Sequence, residues 1–252
     1  MTITFFHQGK TYTVDLSKPI SISIPIQAGK GNNPNCYWAE PVAFETIRSG
    51  EFIGSVAEGG SVNYQKITLT PHGNGTHTEC YGHIVADKTA MINKKIKAEI
   101  CVCVLISLEP ESKGEDLVVT PQQLKDKWPQ FPVDAVIIRT LPNDRSKLTL
   151  QYSGTNPPYL DAGVTRFLNT QNVKHLVVDL PSVDREIDGG RLAAHKAFWG
   201  VPDDIREDAT ITELAYINND ISDGIYLLNL QTIDLSADAC PSRPVIYKID
   251  GF

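Results

Sequence analysis

A fourteen-residue stretch, PHGNGTHTECYGHI at residues 71–84, concentrates side chains that bind metals or transfer protons. It contains three of the six histidines of the chain together with Glu79 and Cys80. Side chains two residues apart in an extended segment share a face, so we expect His77 and Glu79 to point the same way. An imidazole and a carboxylate on one face can hold a divalent cation.

The glycines of this stretch permit tight turns that could bring His72 and His83 to the same point. A hydrogen-bonded surface loop is the alternative, because the Cys/His pairs typical of structural zinc sites are absent. From spacing alone, the choice between a metal site and a polar loop stays open. Cys80 is predicted on the face opposite Glu79, and we interpret it as a packed thiol and not as a nucleophile.

The surrounding sequence predicts a mixed α/β protein. Two short strands flank a glycine turn in TITFFHQGKTYTVDL, and EICVCVLISL is the most apolar of several later strand-like runs. Helices are predicted at TPQQLKDKW, with Thr120 as the N-cap, at AGVTRFLNTQ and at GGRLAAHKAFWG. Residues 27–60 are rich in Gly, Asn and Pro but include Tyr37 and Trp38, a composition typical of a binding loop.

Composition excludes several classes of partner. With 252 residues, of which 41% are hydrophobic, we expect one domain spanning residues 1–252. The net charge of −7 comes from dispersed acidic residues, and the absence of a Lys/Arg cluster predicts no nucleic-acid partner. No run approaches the roughly 20 apolar residues of a membrane span, and the N-terminus does not resemble a signal peptide. Five irregularly spaced cysteines argue against a disulfide framework, so we expect a cytoplasmic protein.

The motif itself resembles that of a known family. GTHTECYGH is similar to HxGTHxDxPxH of the cyclase family of metal-dependent hydrolases, which includes bacterial kynurenine formamidases (arylformamidases) and isatin hydrolases. VDLSKPIS, LVVDLPSVD, LAAHKAFWG, TITELAYI and SADACPSRPVIY resemble other family segments in the same order. The resemblance covers most of the chain and implies a swivelling β/β/α-type α/β fold with a β-barrel-like core. It also implies a homodimer or homotetramer.

Transferred by position, the resemblance implies a metal site assembled from both halves of the chain. His77 and Glu79 match metal ligands, while His195 and Glu213 match the ligands that complete a second metal position. His83 matches the histidine that acts in proton transfer. The implied cofactor is Zn²⁺ or Mn²⁺, as one or two ions.

Three positions depart from the family motif. The first family histidine falls on Gly73, whereas this chain has His72 one residue earlier, and a β-bulge could swing His72 into place as a ligand. Glu79 replaces an aspartate, which moves the carboxylate by more than about 1 Å, a large shift against metal–oxygen distances of about 2.0–2.2 Å. Tyr81 replaces a proline.

Three side chains outside the motif are further candidates. Asp179 and Asp184 in DLPSVD either serve a structural turn or orient a ligand histidine, and we predict the second role for both. Trp38 is either a core residue or a contact of the substrate, and we predict substrate contact. The segment YSGTNPPYL is either a lid over the substrate or a connection rich in turns.

These residues predict a hydrolase of a small molecule. A divalent ion with an open position lowers the pKa of bound water toward 7 and polarises a carbonyl group. We therefore expect cleavage of an amide, formamide or lactam, with His83 carrying the proton. Two alternatives stay open: a cyclase or dehydratase acting on a non-aromatic substrate, and a metal-binding or small-molecule-binding member of the same fold that has lost turnover.

Overall fold

The computed structural model describes residues 1–97 and 99–250, and it has the predicted mixed α/β architecture. The helices are α1 (Pro71–Asn74), α2 (Ile92–Lys95), α3 (Pro121–Asp126), α4 (Ala162–Thr170) and α5 (Ala193–Trp199). The strands are β1 (Thr2–His7), β2 (Lys10–Asp15), β3 (Ile20–Ser21), β4 (Ala43–Thr46), β5 (Arg48–Ser49), β6 (Phe52–Ile53), β7 (Gln65–Thr68), β8 (His77–Glu79), β9 (Ile100–Leu108), β10 (Glu111–Lys113), β11 (Asp116–Val119), β12 (Ala135–Thr140), β13 (Tyr159–Leu160), β14 (His175–Val178), β15 (Thr210–Glu213), β16 (Gly224–Asn229), β17 (Ala239–Pro241) and β18 (Val245–Asp250).

One mixed sheet organises the molecule. Its strands follow the order β1-β2-β18-β16-β9-β12-β14-β15-β8-β17, and β3 pairs with β18 at the side of this path. Neighbours from β9 through β15 are parallel, whereas β8 pairs antiparallel with both β15 and β17. Among the described residues the sheet does not close into a barrel, so the barrel-like core that the resemblance implies takes the form of this open sheet.

The central strands are buried on both faces because alternate side chains enter two separate apolar clusters. On β12, Val136 and Ile138 enter the larger cluster, in which α3, α4 and α5 cover the sheet. Ala135 and Ile137 enter the second cluster on the opposite face. This two-residue period explains why the central strands read as nearly continuous apolar runs.

The local predictions agree with these elements where the sequence signal was strong. The two N-terminal strands form the antiparallel β1–β2 hairpin, and Thr120 caps α3 in a capping box with Gln123. All five cysteines are buried and free. Within residues 1–97 and 99–250, no helix has the length and apolar character needed to cross a membrane.

Candidate metal centre

Strand β8 carries the centre of the site. His77 and Glu79 lie on the same face of β8, and Glu213 on the neighbouring strand β15 stands directly opposite His77. Thr78, between them, points the other way and bonds the hydroxyl of Thr212 at 2.8 Å. The strand alternation that was expected from the sequence therefore brings three of the predicted ligands together.

A helical turn, and not a bulge, positions His72. The sequence Pro71–Asn74 forms α1, and it places Nδ1 of His72 3.2 Å from Oε2 of Glu79. Gly73 packs so tightly that an added Cβ would lie 2.3 Å from Cβ of Ala39. A histidine at the family's position 73 therefore has no space here, and the turn presents its neighbour His72 instead.

Helix α5 delivers His195 from the second half of the chain. Its Nε2 lies 3.0 Å from Oε1 of Glu79 and 3.7 Å from Oε1 of Glu213. Its other ring nitrogen, Nδ1, donates to Asp184 at 2.7 Å. Asp184 also accepts the backbone N–H groups of Ala194 and His195, so one carboxylate both caps the helix and orients the imidazole.

His83 lies at the outer side of the cluster and is about one-third exposed, with 32% of its side-chain surface accessible. Its Nε2 is 3.9 Å from Oε2 of Glu79, and its ring centre is 4.3 Å from that of His72. Nδ1 donates to Asp238 at 3.3 Å. The turn that carries His83 is anchored by Tyr81, whose buried ring extends to bond Asp87 at 2.9 Å.

The four histidines share one arrangement, in which one ring nitrogen is bound to an outer acceptor and the other faces the carboxylates. The acceptor is Asp238 for His72 and His83, the carbonyl of Gly75 for His77 and Asp184 for His195. The inner nitrogens lie between 3.0 and 3.9 Å from the nearest oxygen of Glu79 or Glu213. The outer hydrogen bonds direct the inner nitrogens at the carboxylates, where Nε2 of His195 bonds Oε1 of Glu79 at 3.0 Å, and they place each inner nitrogen to bind a metal instead.

The donor set fits a divalent cation. Nε2 of His77 and Oε2 of Glu79 are fully buried and make no hydrogen bond within the described residues. Buried polar atoms without a partner are costly, and a metal ion would satisfy both. Two ligands bound at about 2.0–2.2 Å to a tetrahedral ion lie about 3.4 Å apart, in the range of the separations found here. Among the described residues, three overlapping groups have donor atoms close enough to share a cation: His72, His77 and Glu79; Glu79, His83 and His195; and His72, His83 and Asp238.

Electrostatics tie these groups together. Burial acts to raise the pKa of Glu79, but His83 and the neighbouring imidazoles hold it well below its ordinary value. Burial acts to lower the pKa of His195, but hydrogen bonds to Asp184 and Glu79 raise it to about 10. The pKa of His72 is likewise raised to about 10, against the effect of burial, by Asp238 and Glu79. Without a cation, the site therefore neutralises its carboxylates with protons.

The aromatic loop approaches the site through Tyr37 more closely than through Trp38. Trp38 is 70% exposed, and its backbone N–H donates to the hydroxyl of Ser153. Tyr37 is 42% exposed but bonds Ser182, and partial burial of its phenol together with the charge of Glu213 raises the pKa of that phenol far above the ordinary value. Tyr37 also lines a small cleft beside the metal cluster with Cys36, Tyr152, Pro157, Pro181, Ser182, Asp184 and Glu186.

The segment YSGTNPPYL, residues 152–160, forms one wall of that cleft through Tyr152 and Pro157. The carboxylate of Glu186 accepts the backbone N–H groups of Gly154 and Asn156 at 2.6 and 3.3 Å, which holds the segment against the chain that carries Ser182. The segment therefore lies next to the chain that carries Ser182 and Asp184, and its role as a lid or as a connection rich in turns remains a prediction.

The structure does not bring Asp179 to a histidine, which corrects the expectation that it orients a ligand. Its oxygens accept from the backbone and hydroxyl of Thr140 and from Nζ of Lys147, all at 2.8 to 3.1 Å. Asp179 follows the end of β14, and its neighbour across the sheet is the end of β12, which carries Thr140. It therefore anchors a connection within the sheet and lies outside the cluster.

Asp238 is a site residue that the sequence reasoning missed. It directly precedes β17 and accepts from Nε2 of His72 at 2.9 Å and from Nδ1 of His83 at 3.3 Å. These hydrogen bonds hold the pKa of its carboxyl far below the ordinary value. The resemblance of SADACPSRPVIY to a family segment was a signal for this strand, but nothing in that match singled out the aspartate.

Comparison with known proteins agrees with this geometry. The family described as Putative cyclase matches residues 14–185. Kynurenine formamidase of Bacillus anthracis is 28% identical over 235 residues, which are 92% of this chain and 99% of the relative. Kynurenine formamidase of Bacillus cytotoxicus is 28% identical over 231 residues, which are 91% and 97% of the two chains.

Solved structures share the fold at lower identity. Isatin hydrolase A from Labrenzia aggregata has a TM-score of 0.66 at 14% identity, over 91% of this chain and 93% of the other. A predicted metal-dependent hydrolase from Bacillus stearothermophilus has a TM-score of 0.62 at 18% identity, over 91% and 98%. These likenesses confirm the expected fold. Because the family match covers well over half of the 252 residues, the chain belongs to the cyclase family.

Proposed function

We propose that this protein is a metal-dependent hydrolase that cleaves the C–N bond of an amide, formamide or lactam. The observation that carries the proposal is the convergence of four inner imidazole nitrogens on the buried carboxylates of Glu79 and Glu213. Two atoms of this cluster, Nε2 of His77 and Oε2 of Glu79, are buried without a hydrogen bond among the described residues, which structural polar networks seldom allow. A bound cation would satisfy both.

We assign the cation to His72, His77 and Glu79, with His195 and Glu213 available for a second ion. Imidazole and carboxylate donors together suit Zn²⁺ and also Mn²⁺. When bound, such an ion would supply Lewis-acid activation of a carbonyl and acidify water. Glu79 stands at the centre because its two oxygens face different histidines, Oε1 facing His195 and Oε2 facing His72.

His83 is the residue to which we assign proton transfer. Its Nδ1–H is held by Asp238, so the lone pair of Nε2 faces the carboxylate cluster. In hydrolysis, a C–O bond to water forms and the C–N bond breaks. Nε2 takes the proton that water gives up and returns it to the leaving nitrogen, so the imidazole ends the cycle unchanged. Partial exposure of His83 suits a group that meets substrate and solvent.

The identities of the relatives suggest which substrates to test first. Kynurenine formamidases match nearly the whole chain, which favours a formamide, and the fold shared with isatin hydrolase adds lactams. Trp38 remains a predicted contact of the substrate. A single domain over residues 1–252, a cytoplasmic location and assembly into a homodimer or homotetramer also remain predictions.

The test begins with elemental analysis of the purified protein. Assays with N-formylkynurenine, isatin and simple cyclic amides then follow, before and after chelation and with Zn²⁺ or Mn²⁺ restored. We expect turnover that disappears with the chelator and returns with the ion. Hydrolysis adds one water and gives an amine and formic acid from a formamide or a ring-opened amino acid from a lactam, whereas loss of water from the substrate would identify a dehydratase.

His83→Ala tests the assigned proton transfer. We expect the metal content to stay unchanged while kcat falls by roughly 10²–10⁴-fold, the usual contribution of a general acid–base group. His7→Ala is the matched control, since His7 lies at the end of β1 and bonds the carbonyl of Pro132. Wild-type rates in His83→Ala would refute the assignment.

A further inference from the structure

Asp238 lies in a part of the chain that sequence reasoning left without a role, yet it touches two histidines of the cluster. Its backbone is fixed to the strand that carries the ligands, because its carbonyl accepts the N–H of Cys80 at 3.0 Å and β17 pairs with β8. The side chain therefore has a defined place beside Glu79. It is partly exposed, with 39% of its surface accessible, which is consistent with a location at the mouth of the site.

A single oxygen of Asp238 serves both rings. Oδ2 accepts from Nε2 of His72 at 2.9 Å and from Nδ1 of His83 at 3.3 Å. The two imidazoles lie face to face, with centres 4.3 Å apart and planes 30° from parallel. A carboxylate is acceptor-only when ionised, so each ring must present an N–H to it.

This bond determines which nitrogen of each ring is available. With Nε2–H of His72 donated outward, Nδ1 faces Oε2 of Glu79. With Nδ1–H of His83 donated outward, Nε2 faces the same carboxylate. His72 and His83 thus expose opposite nitrogens of their rings to the centre, and one aspartate sets both choices.

The other histidines show the same use of an outer acceptor. Asp184 holds His195, and the carbonyl of Gly75 holds His77. His72 stands one residue before the position of the family's first histidine and reaches the centre from a helical turn. Its ring therefore needs an acceptor on the side away from Glu79, and Asp238 supplies it.

We propose that Asp238 is a positioning residue that orients His72 toward a bound cation through Nδ1 and His83 toward the substrate through Nε2. The part concerning His83 rests on the proposed hydrolase function, whereas the part concerning His72 rests on cation binding alone. Asp238 touches neither the substrate nor the reacting atoms. It acts through the two rings.

The experiment compares Asp238→Asn with wild type and with Asp234→Asn. Asp234 is a matched control, because it lies four residues earlier and its carboxylate accepts from Asn93 and from no histidine of the cluster. The dissociation constant and stoichiometry of Zn²⁺ are measured by competition with a chromophoric chelator. We expect Asp238→Asn to keep the stoichiometry of the wild type and to weaken binding by about 10- to 100-fold, the usual effect of losing an outer partner of a ligand.

Turnover at saturating Zn²⁺ isolates the effect on His83. We expect kcat of Asp238→Asn to fall at least about 10-fold with little change in KM, as misplacing a general acid–base group requires. Adding the substitution to His83→Ala should cause no further loss of kcat, and adding it to His72→Ala no further loss of Zn²⁺ affinity. These two cycles separate the effects on the two rings.

Three results would overturn the proposal. The first is that Asp238→Asn equals Asp234→Asn in both Zn²⁺ affinity and kcat while the wild type is active. The proposed hydrolase function would then still stand. The second is loss of a whole equivalent of Zn²⁺ at saturation, which would make Asp238 itself a ligand. The third needs no variant: nitrogen-15 NMR of the zinc-loaded wild type would show His83 protonated at Nε2 instead of Nδ1. Should the wild type hydrolyse no C–N substrate, the Zn²⁺ affinities and the NMR result still decide the role of Asp238.

Discussion

Replacing Asp184 by alanine perturbs the site and the fold through the same carboxylate. Asp184 accepts Nδ1–H of His195 at 2.7 Å and the backbone N–H groups of Ala194 and His195 at 2.7 and 3.1 Å. The substitution leaves a buried imidazole without its outer acceptor and the first turn of α5 without a cap. Both losses lower the stability of the fold because Asp184 and His195 are buried.

The size of the effect follows from those contacts. Loss of a side-chain acceptor for the N–H groups of the first helical turn costs about 0.5–2 kcal/mol, and loss of a hydrogen bond to a charged group costs about 1.5–3 kcal/mol. We therefore expect the metal-free variant to be less stable by about 2–5 kcal/mol, a large part of the roughly 5–15 kcal/mol typical of a folded protein. Zn²⁺ affinity should fall by about 10- to 100-fold, because His195 loses the group that orients it.

Urea denaturation of the metal-free protein and chelator competition with Zn²⁺ measure the two effects separately. Asp188→Ala is the control, since Asp188 accepts the backbone N–H groups of Gly190, Arg191 and Leu192 just before α5. That variant should lose stability and keep its Zn²⁺ affinity. If Asp184→Ala also keeps wild-type affinity, then His195 is not held for a cation and the reasoning fails.

Three further predictions follow from the electrostatics and burial of the site. Because the pKa values of His72 and His195 are raised from 6.5 to about 10, the metal-free protein should lose stability, on the order of a few kcal/mol, as the pH rises from about 6.5 to 10. Urea titrations across this pH range check this, and the stability of His195→Gln should change less with pH than that of the wild type. For the same reason Zn²⁺ binding should release protons near pH 7, which calorimetry in buffers of different ionisation enthalpy would detect; binding without proton release would contradict it. Because burial raises the pKa of the Cys80 thiol to about 11, iodoacetamide should leave activity intact where a chelator abolishes it, and inactivation by alkylation would revive a thiol mechanism.

The parts of the site that the sequence predicted are those governed by local geometry. His77 and Glu79 share a face because they are two residues apart on a strand, and the family match supplied His195 and Glu213 from remote segments. The capping role of Thr120 could be predicted for the same reason, because its partner Gln123 lies three residues away. The family, the fold class and the capping box are confirmed, and the roles of the site residues remain predictions.

The remaining parts depend on contacts that local patterns do not encode. Asp238 meets His72 across 166 positions of sequence, through the pairing of β17 with β8, and it is one of 30 acidic residues. The expected bulge before His77 is a helical turn, because Ala39 packs against Gly73 and leaves no room for another side chain. The expectation that Asp179 orients a ligand histidine was wrong. Its place at the end of a strand, five residues before Asp184, does not reveal that its carboxylate faces Lys147.

The proposed function requires that the histidines and carboxylates around Glu79 bind a divalent cation. Anomalous diffraction at the zinc absorption edge, from crystals of the zinc-loaded protein, would locate that cation. We predict an ion bonded to Nδ1 of His72, Nε2 of His77 and the carboxylate of Glu79. Zinc bound elsewhere on the chain, with these side chains still hydrogen-bonded to one another, would contradict it.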